Sequence, residues 1–171
     1  MGELVFALEF RGHAGPVPGS ETERWARTTA PSQALSTVLA ADGVRAHVDT
    51  LAGETAVLES RVERFGDGTF VETGTITYGT AGTVGFETIG RGWISPVPDG
   101  AGVLGGILWR ITEGTGRFAG AQGLITSNFT VTPTGEVTDN HFARIYLPDA
   151  HPVTSSRSAL RAAEPPARTR C

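Results

Sequence analysis

From residue 54 onward, apolar and polar side chains alternate along the chain with a period of two. In the first run, residues 54–65, the apolar Ala56, Leu58 and Val62 fall on one side and charged residues fall on the other. This alternation is typical of a half-buried β-strand. The same pattern, interrupted by glycine-rich turns, predicts further strands at 3–10, 69–78, 83–93, 103–113, 123–132 and 136–147.

Three other stretches carry weaker signals. Residues 11–32 are rich in Gly, Pro, Ser and Thr, which predicts a long connection with a short helix at 21–27. Residues 32–40 and 44–50 predict two strands on either side of a turn. Residues 94–102 contain two prolines that block ladder hydrogen bonds, so we expect a long loop that gates one end of the fold.

Seven or eight antiparallel strands without a crossover helix indicate an all-β fold. Closing such a sheet into an eight-stranded antiparallel β-barrel of the calycin-like type removes its exposed edges, and a barrel of this size can hold one small ligand. We therefore predict a barrel domain over residues 1–148. A two-sheet sandwich remains an alternative at this stage. Residues 149–171 lack apolar periodicity, which predicts a disordered tail.

The amino-acid composition excludes several kinds of catalytic group and binding surface. The formal net charge is −4 and the chain has no lysine, which argues against a nucleic-acid surface and excludes a lysine Schiff base. The one cysteine is Cys171, and the four histidines, at 13, 47, 141 and 151, show no metal-ligand spacing. We expect no metal and no cofactor. No segment approaches the ~20 apolar residues of a membrane span, so we expect no membrane contact and a cytoplasmic location.

The segment EGTGRFAGAQG, residues 113–123, places four glycines around Phe118. A phosphate-binding loop would need a lysine after the last glycine, and a dinucleotide fingerprint would need one residue fewer and a following helix. The residues that follow are rich in β-branched side chains and predict a strand instead. We therefore interpret the segment as a turn or bulge that surrounds a buried Phe118.

Residues 114–123, GTGRFAGAQG, also resemble the G-T-G-x-F-x-x-A-x-G segment of allene oxide cyclases and dirigent proteins. The resemblance is best over residues 103–147. It implies an eight-stranded antiparallel barrel whose cavity binds hydrophobic molecules. Some members of these families direct a ring closure or a coupling without a cofactor, and similar bacterial barrels act on polyketide-type substrates of natural-product pathways. The catalytic residues of these families cannot be matched to positions in this chain.

Strand parity identifies one candidate catalytic carboxyl group. In residues 69–78, Glu72 shares a face with Phe70, Ile76 and Tyr78. A carboxyl group on a buried apolar face has a raised pKa, because burial disfavours its charged form. The alternative is a charge at a barrel rim that is solvated or paired with an arginine.

Residues 136–147 hold the densest polar cluster. Asp139 and His141 share one face, where they form either an oriented general base or, as our default interpretation, two solvated side chains. Asn140, Arg144 and Tyr146 share the other face, and all three can donate hydrogen bonds to a carbonyl or enolate oxygen. The candidate catalytic residues are Glu72, His141, Arg144 and Tyr146; the candidate substrate-binding residues are Tyr78, Phe86, Trp109, Asn140 and Phe142. For Trp109, plain core packing is an equal alternative to a place in the pocket wall.

Three functions follow from this sequence. The first is a cofactor-free cyclase or isomerase that folds a small hydrophobic, polyketide-like metabolite and directs ring closure. The second is a non-catalytic, lipocalin-like carrier of an apolar molecule. The third is a dirigent-type interaction protein with a filled interior. A homo-oligomer, dimer or trimer, is compatible with each.

Overall fold

The computed structural model describes residues 2–98 and 100–149. These residues form β-strands throughout, apart from one turn of 3₁₀ helix at Gly116–Phe118. The strands are β1 (Gly2–Pro16), β2 (Glu23–Ala30), β3 (Gln33–Ala40), β4 (Gly43–Thr50), β5 (Ala56–Arg64), β6 (Thr69–Tyr78), β7 (Thr83–Thr88), β8 (Gly92–Pro96), β9 (Val103–Gly114), β10 (Gln122–Val131) and β11 (Glu136–Leu147).

The main sheet closes into an eight-stranded antiparallel barrel, so the predicted fold class is confirmed. Around the barrel the order is β9, β10, β11, β1, β2, β5, β6 and β7, and β7 pairs back with β9. The short β8 pairs with both β6 and β9 and so occupies the β7 position at the other end of the barrel. The part of the predicted tail beyond residue 149 lies outside the described residues.

The strand predicted at 83–93 is in fact two strands. The chain turns between Thr88 and Gly92, where Gly90 adopts a left-handed conformation with φ of +69°. Such a conformation is available to glycine at little cost and interrupts a strand. The second half, β8, extends to Pro96, so the predicted loop 94–102 is shorter than expected and is closed by a hydrogen bond from the Val97 N–H to the Gly102 carbonyl (3.1 Å).

The prediction for residues 11–32 is wrong, because β1 continues to Pro16 and β2 replaces the expected short helix. In β2 the residues that face the interior are Arg24, Ala26, Thr28 and Ala30. These side chains are small or polar, so the inward residues of β2 are hardly more hydrophobic than the outward ones. The alternation of period two is therefore not visible in the sequence. Backbone pairing with β1 and β5 nevertheless makes this segment a strand.

The strands predicted at 32–40 and 44–50 are confirmed as the β3–β4 hairpin. The hairpin forms its own two-stranded sheet beside the barrel. It is attached near its base, where the Gln33 side chain accepts a hydrogen bond from the Glu9 N–H (3.0 Å) and donates one to the Glu9 carbonyl (3.1 Å). The hairpin connects the end of β2 with the start of β5, and both of these lie at the same end of the barrel. The hairpin therefore does not cover the opposite end.

The glycine segment closes the end from which the hairpin projects. Phe118 is 5 % exposed, so its predicted burial is confirmed, and its ring lies 5.2 Å from the ring of Tyr78 between centroids. Gly116 has φ of +58°, and a Cβ on Gly114 would lie 1.9 Å from the Phe118 carbonyl oxygen. Glycine is therefore required at both positions for the chain to wrap around Phe118.

Candidate functional site

The end of the barrel opposite Phe118 contains a cavity of about 340 Å³. Its wall is mainly apolar, and the side chains that form it include Leu58, Val62, Phe70, Ile94, Phe129 and Val137. Ile94 of β8 and Gly102, which immediately precedes β9, also line it, which confirms that the connection between these strands lies at a barrel mouth. Gating by the loop stays a prediction. Below the cavity the interior is filled by buried side chains such as Phe10 and Trp109.

Glu72 is the first polar group of the cavity. It lies on the inner face of β6, lines the cavity and is only 7 % exposed. The Ser60 hydroxyl, on the neighbouring strand β5, donates a hydrogen bond to Glu72 Oε1 (2.6 Å). Burial raises the pKa of Glu72 to about 8; the hydrogen bond from Ser60 opposes this rise, and the negative charge of Asp139 adds to it. At neutral pH most molecules therefore carry Glu72 as the neutral acid.

Asp139 and His141 form the second polar group. The default interpretation of two solvated side chains is wrong, because both residues are buried on the inner face of β11. His141 Nε2 lies 2.8 Å from Asp139 Oδ2, and the Ser127 hydroxyl donates a hydrogen bond to Asp139 Oδ1 (2.7 Å). Asp139 lines the cavity, whereas His141 lies behind it.

The imidazole of His141 is held by aromatic rings. Its centroid lies 4.4 Å from that of Phe10 and 5.1 Å from that of Trp109, and the planes of the His141 and Trp109 rings are nearly perpendicular (81°). His141 Nδ1 is buried and has no hydrogen-bond partner among the described residues. The imidazole is therefore oriented by packing and by Asp139 alone.

The other candidates from β11 lie on the outer wall of the barrel. Asn140, Phe142, Arg144 and Tyr146 alternate with the inward residues and are exposed, and Arg144 forms an ion pair with Glu3. The structure does not bring these four side chains together with Glu72. The sequence did not show which face of β11 points into the barrel, because both faces mix apolar and polar residues. The inner face is the one that carries Asp139 and His141.

The remaining aromatic candidates, Tyr78, Phe86 and Trp109, lie inside the barrel but not in the cavity wall. Trp109 and Phe86 are buried and stacked, with ring centroids 4.3 Å apart, and Tyr78 packs between Phe6 and Phe118 towards the closed end. For Trp109 this is the packing role that the sequence left as an alternative. Its indole N–H has no hydrogen-bond partner among the described residues.

Sequence reasoning missed several residues of the site. Ser127 shares strand parity with the apolar Ile125 and Phe129, so its inward position was readable in principle from the alternation of β10. Thr28 and Arg24 lie on β2, which was not predicted as a strand. Without a predicted strand, no alternation could indicate that these two residues face inward. Arg64 lies at the end of β5, where the alternation stops.

Within residues 2–98 and 100–149 no group of three or more His, Cys, Asp or Glu side chains is arranged to hold a metal ion. The same residues contain no helix with the length and apolar character needed to cross a membrane. Comparisons with protein families, with curated proteins and with solved structures found no match for this chain.

Proposed function

We propose that this protein is a cofactor-free acid–base catalyst, a cyclase or isomerase that acts on a small, largely apolar molecule held in the cavity. One observation carries the proposal: two carboxyl groups with different surroundings, Glu72 and Asp139, line a cavity whose wall is otherwise mainly apolar. Pairs of carboxyl groups in contrasting environments are a recurrent way to obtain an acid and a base at the same pH.

In this proposal Glu72 is the general acid. Because its raised pKa keeps it protonated at neutral pH, it can donate a hydrogen bond and then a proton to a carbonyl oxygen. The Ser60 hydroxyl fixes one of its oxygens. The mainly apolar wall lowers the local dielectric constant, which strengthens the interaction of the acid with the developing charge.

Asp139 is the proposed general base. Its two oxygens face Ser127 and His141, so the orientation of the carboxyl group is fixed, and Asp139 lines the cavity. His141 does not line the cavity and is assigned a positioning role. Removal of a proton from the carbon beside a carbonyl group is the step that such a base performs.

The reaction that fits these roles is an intramolecular aldol ring closure. Asp139 removes a proton from the carbon next to one carbonyl group, that carbon forms a bond to the carbon of a second carbonyl group, and Glu72 protonates the oxygen of the second group. The product has one new carbon–carbon bond and one hydroxyl group, and no atom is lost. Transfer of the proton from Asp139 back to Glu72 restores both groups for the next turnover. The same two steps on a single carbonyl group give an isomerisation.

The size of the cavity supports the proposal that the protein holds its substrate in a folded conformation. A cavity of about 340 Å³ lies at the small end of the usual range for ligand sites and would hold a flexible chain in a folded form. Holding the two reacting carbons in contact can contribute on the order of 7–11 kcal/mol in the best cases. The resemblance of residues 114–123 to allene oxide cyclases and dirigent proteins agrees with such a function.

The test is turnover of a short linear triketone followed by NMR. We expect the wild-type protein to accelerate ring closure, and Glu72→Gln and Asp139→Asn each to reduce the rate by roughly 10²–10⁴-fold. Glu63→Gln, the same chemical change at an exposed position of β5, should leave the rate unchanged.

A wild-type protein that gives only the uncatalysed rate and product distribution would contradict the proposal for this substrate class. If it nevertheless bound a neutral fluorescent probe such as N-phenylnaphthylamine tightly, the non-catalytic carrier would become the better description.

A further inference from the structure

Two guanidinium groups stand at the rim of the cavity. Arg24 of β2 and Arg64 of β5 both line it. In the strand register Arg24 lies opposite Val62, so Arg64, two residues further along the same face, is its diagonal neighbour. Diagonal neighbours across an antiparallel pair are about 7–8 Å apart, a distance that long side chains can bridge.

Neither guanidinium group forms an ion pair within residues 2–98 and 100–149. Several arginines on the outer wall behave differently; Arg27, for example, pairs with Glu59. The nearby acidic residues Glu23 and Glu63 lie opposite each other on the outer face, with parity opposite to that of the two rim arginines.

Arg24 is also held in place by its own backbone. Its Nη1 donates hydrogen bonds to the carbonyl oxygens of Glu21 (3.1 Å) and Glu23 (2.8 Å). These contacts fix the guanidinium group without neutralising its charge. Arg64 is exposed at the end of β5.

We propose that the ligand of this cavity is amphipathic, with an apolar body in the barrel and a terminal oxyanion, carboxylate or phosphate, bound by Arg24 and Arg64. This inference rests on the proposed function for its reaction chemistry and names the substrate class of the same site. Planar guanidinium groups match the oxygens of carboxylates and phosphates, so both oxyanions suit the rim. The arrangement also orients the ligand, because its charged end is held at the rim and its apolar body lies in the cavity that Glu72 and Asp139 line.

The experiment is displacement of bound N-phenylnaphthylamine by three ligands with the same eight-carbon chain: octanoate, octyl phosphate and octanol. The full chain is used, in wild-type form and as Arg24→Gln, Arg64→Gln and the double variant. Arg61→Gln is the matched control, because Arg61 is an exposed, outward arginine on the same strand as Arg64.

We expect at least one of the two anionic ligands to bind more than 10-fold more tightly than octanol to the wild-type protein. Each rim variant should lose about 10-fold of this advantage, and the Arg61→Gln control should keep it. The advantage should also shrink as salt is raised, since the rim is open to solvent. Preference for octanoate over octyl phosphate would identify a carboxylic acid, and the reverse a phosphate ester.

Equal binding of octanol and both anions, or an anion advantage that survives in the double variant, would overturn the inference. This outcome is separable from failure of the proposed function, because displacement measures binding and not turnover. Glu72→Gln should slow ring closure by roughly 10²–10⁴-fold and leave the preference for the anion intact.

Discussion

Replacing Phe118 with alanine is expected to lower the free energy of unfolding by roughly 3–5 kcal/mol. The ring is buried at the closed end of the barrel, where it packs against Tyr78. Its removal leaves a cavity that the surrounding strands cannot fill, because their backbones are fixed by the closed ladder of hydrogen bonds. A loss of this size is a large part of the ~5–15 kcal/mol that stabilises a typical domain.

Denaturant unfolding measures this loss, and Phe142→Ala is the matched control. Phe142 is 50 % exposed on the outer wall, so the same truncation should cost much less there, and the midpoint should hardly move. A Phe118→Ala protein as stable as the wild type would show that residues 113–123 do not close the barrel. The role assigned to the glycines around Phe118 would then be wrong.

Glu72→Gln is expected to change how stability depends on pH. Burial raises the pKa of Glu72 from 4.5 to about 8, so between these values the folded state keeps a proton that the unfolded chain has lost. The free energy of unfolding of the wild type should therefore fall as pH rises through this window, by up to about 1.4 kcal/mol per pH unit. The stabilisation of the folded state that comes from the proton on Glu72 is fully present below pH 4.5 and is lost above pH 8.

The measurement compares urea unfolding of wild type and Glu72→Gln at several pH values from 5 to 9. Glutamine cannot ionise, so its free energy of unfolding should not show this fall. As pH rises across the window, the free energy of unfolding of Glu72→Gln should therefore increase relative to that of the wild type by up to about 4–5 kcal/mol in total. Groups that titrate in this range without interacting with Glu72 contribute equally to both proteins and cancel in the difference. In Glu63→Gln the slope of the wild type should be retained. A constant difference between wild type and Glu72→Gln would mean that Glu72 is ionised like an exposed glutamate.

Most of the barrel could be predicted from alternation, because strands with one apolar and one polar face carry a strong signal of period two. β5 and β6 are examples, and the parity of β6 correctly placed Glu72 on the inner face. β2 escaped prediction because its inward residues are small or polar where they line the open end of the barrel. On β2 small and polar inward side chains leave room for the cavity, so this strand has little hydrophobic contrast.

The polar site itself could be predicted only in part. The spacing of Asp139 and His141 showed that they share a face, but the choice of the inner face depended on packing against Phe10 and Trp109, which come from other strands. The hydrogen bonds from Ser60 and Ser127 depend in the same way on the register between strands. Such register is a property of the closed barrel and cannot be read from any one segment.

The protonation state of Glu72 can be measured directly by an NMR titration of its side-chain carboxyl carbon, assigned by its disappearance from the spectrum of Glu72→Gln. We expect a neutral carboxylic acid to line the apolar cavity at neutral pH and predict that this carbon titrates with a pKa of about 8. Titration near the ordinary value of 4.5 would contradict this prediction, because Glu72 would then be ionised at neutral pH and unable to serve as the acid.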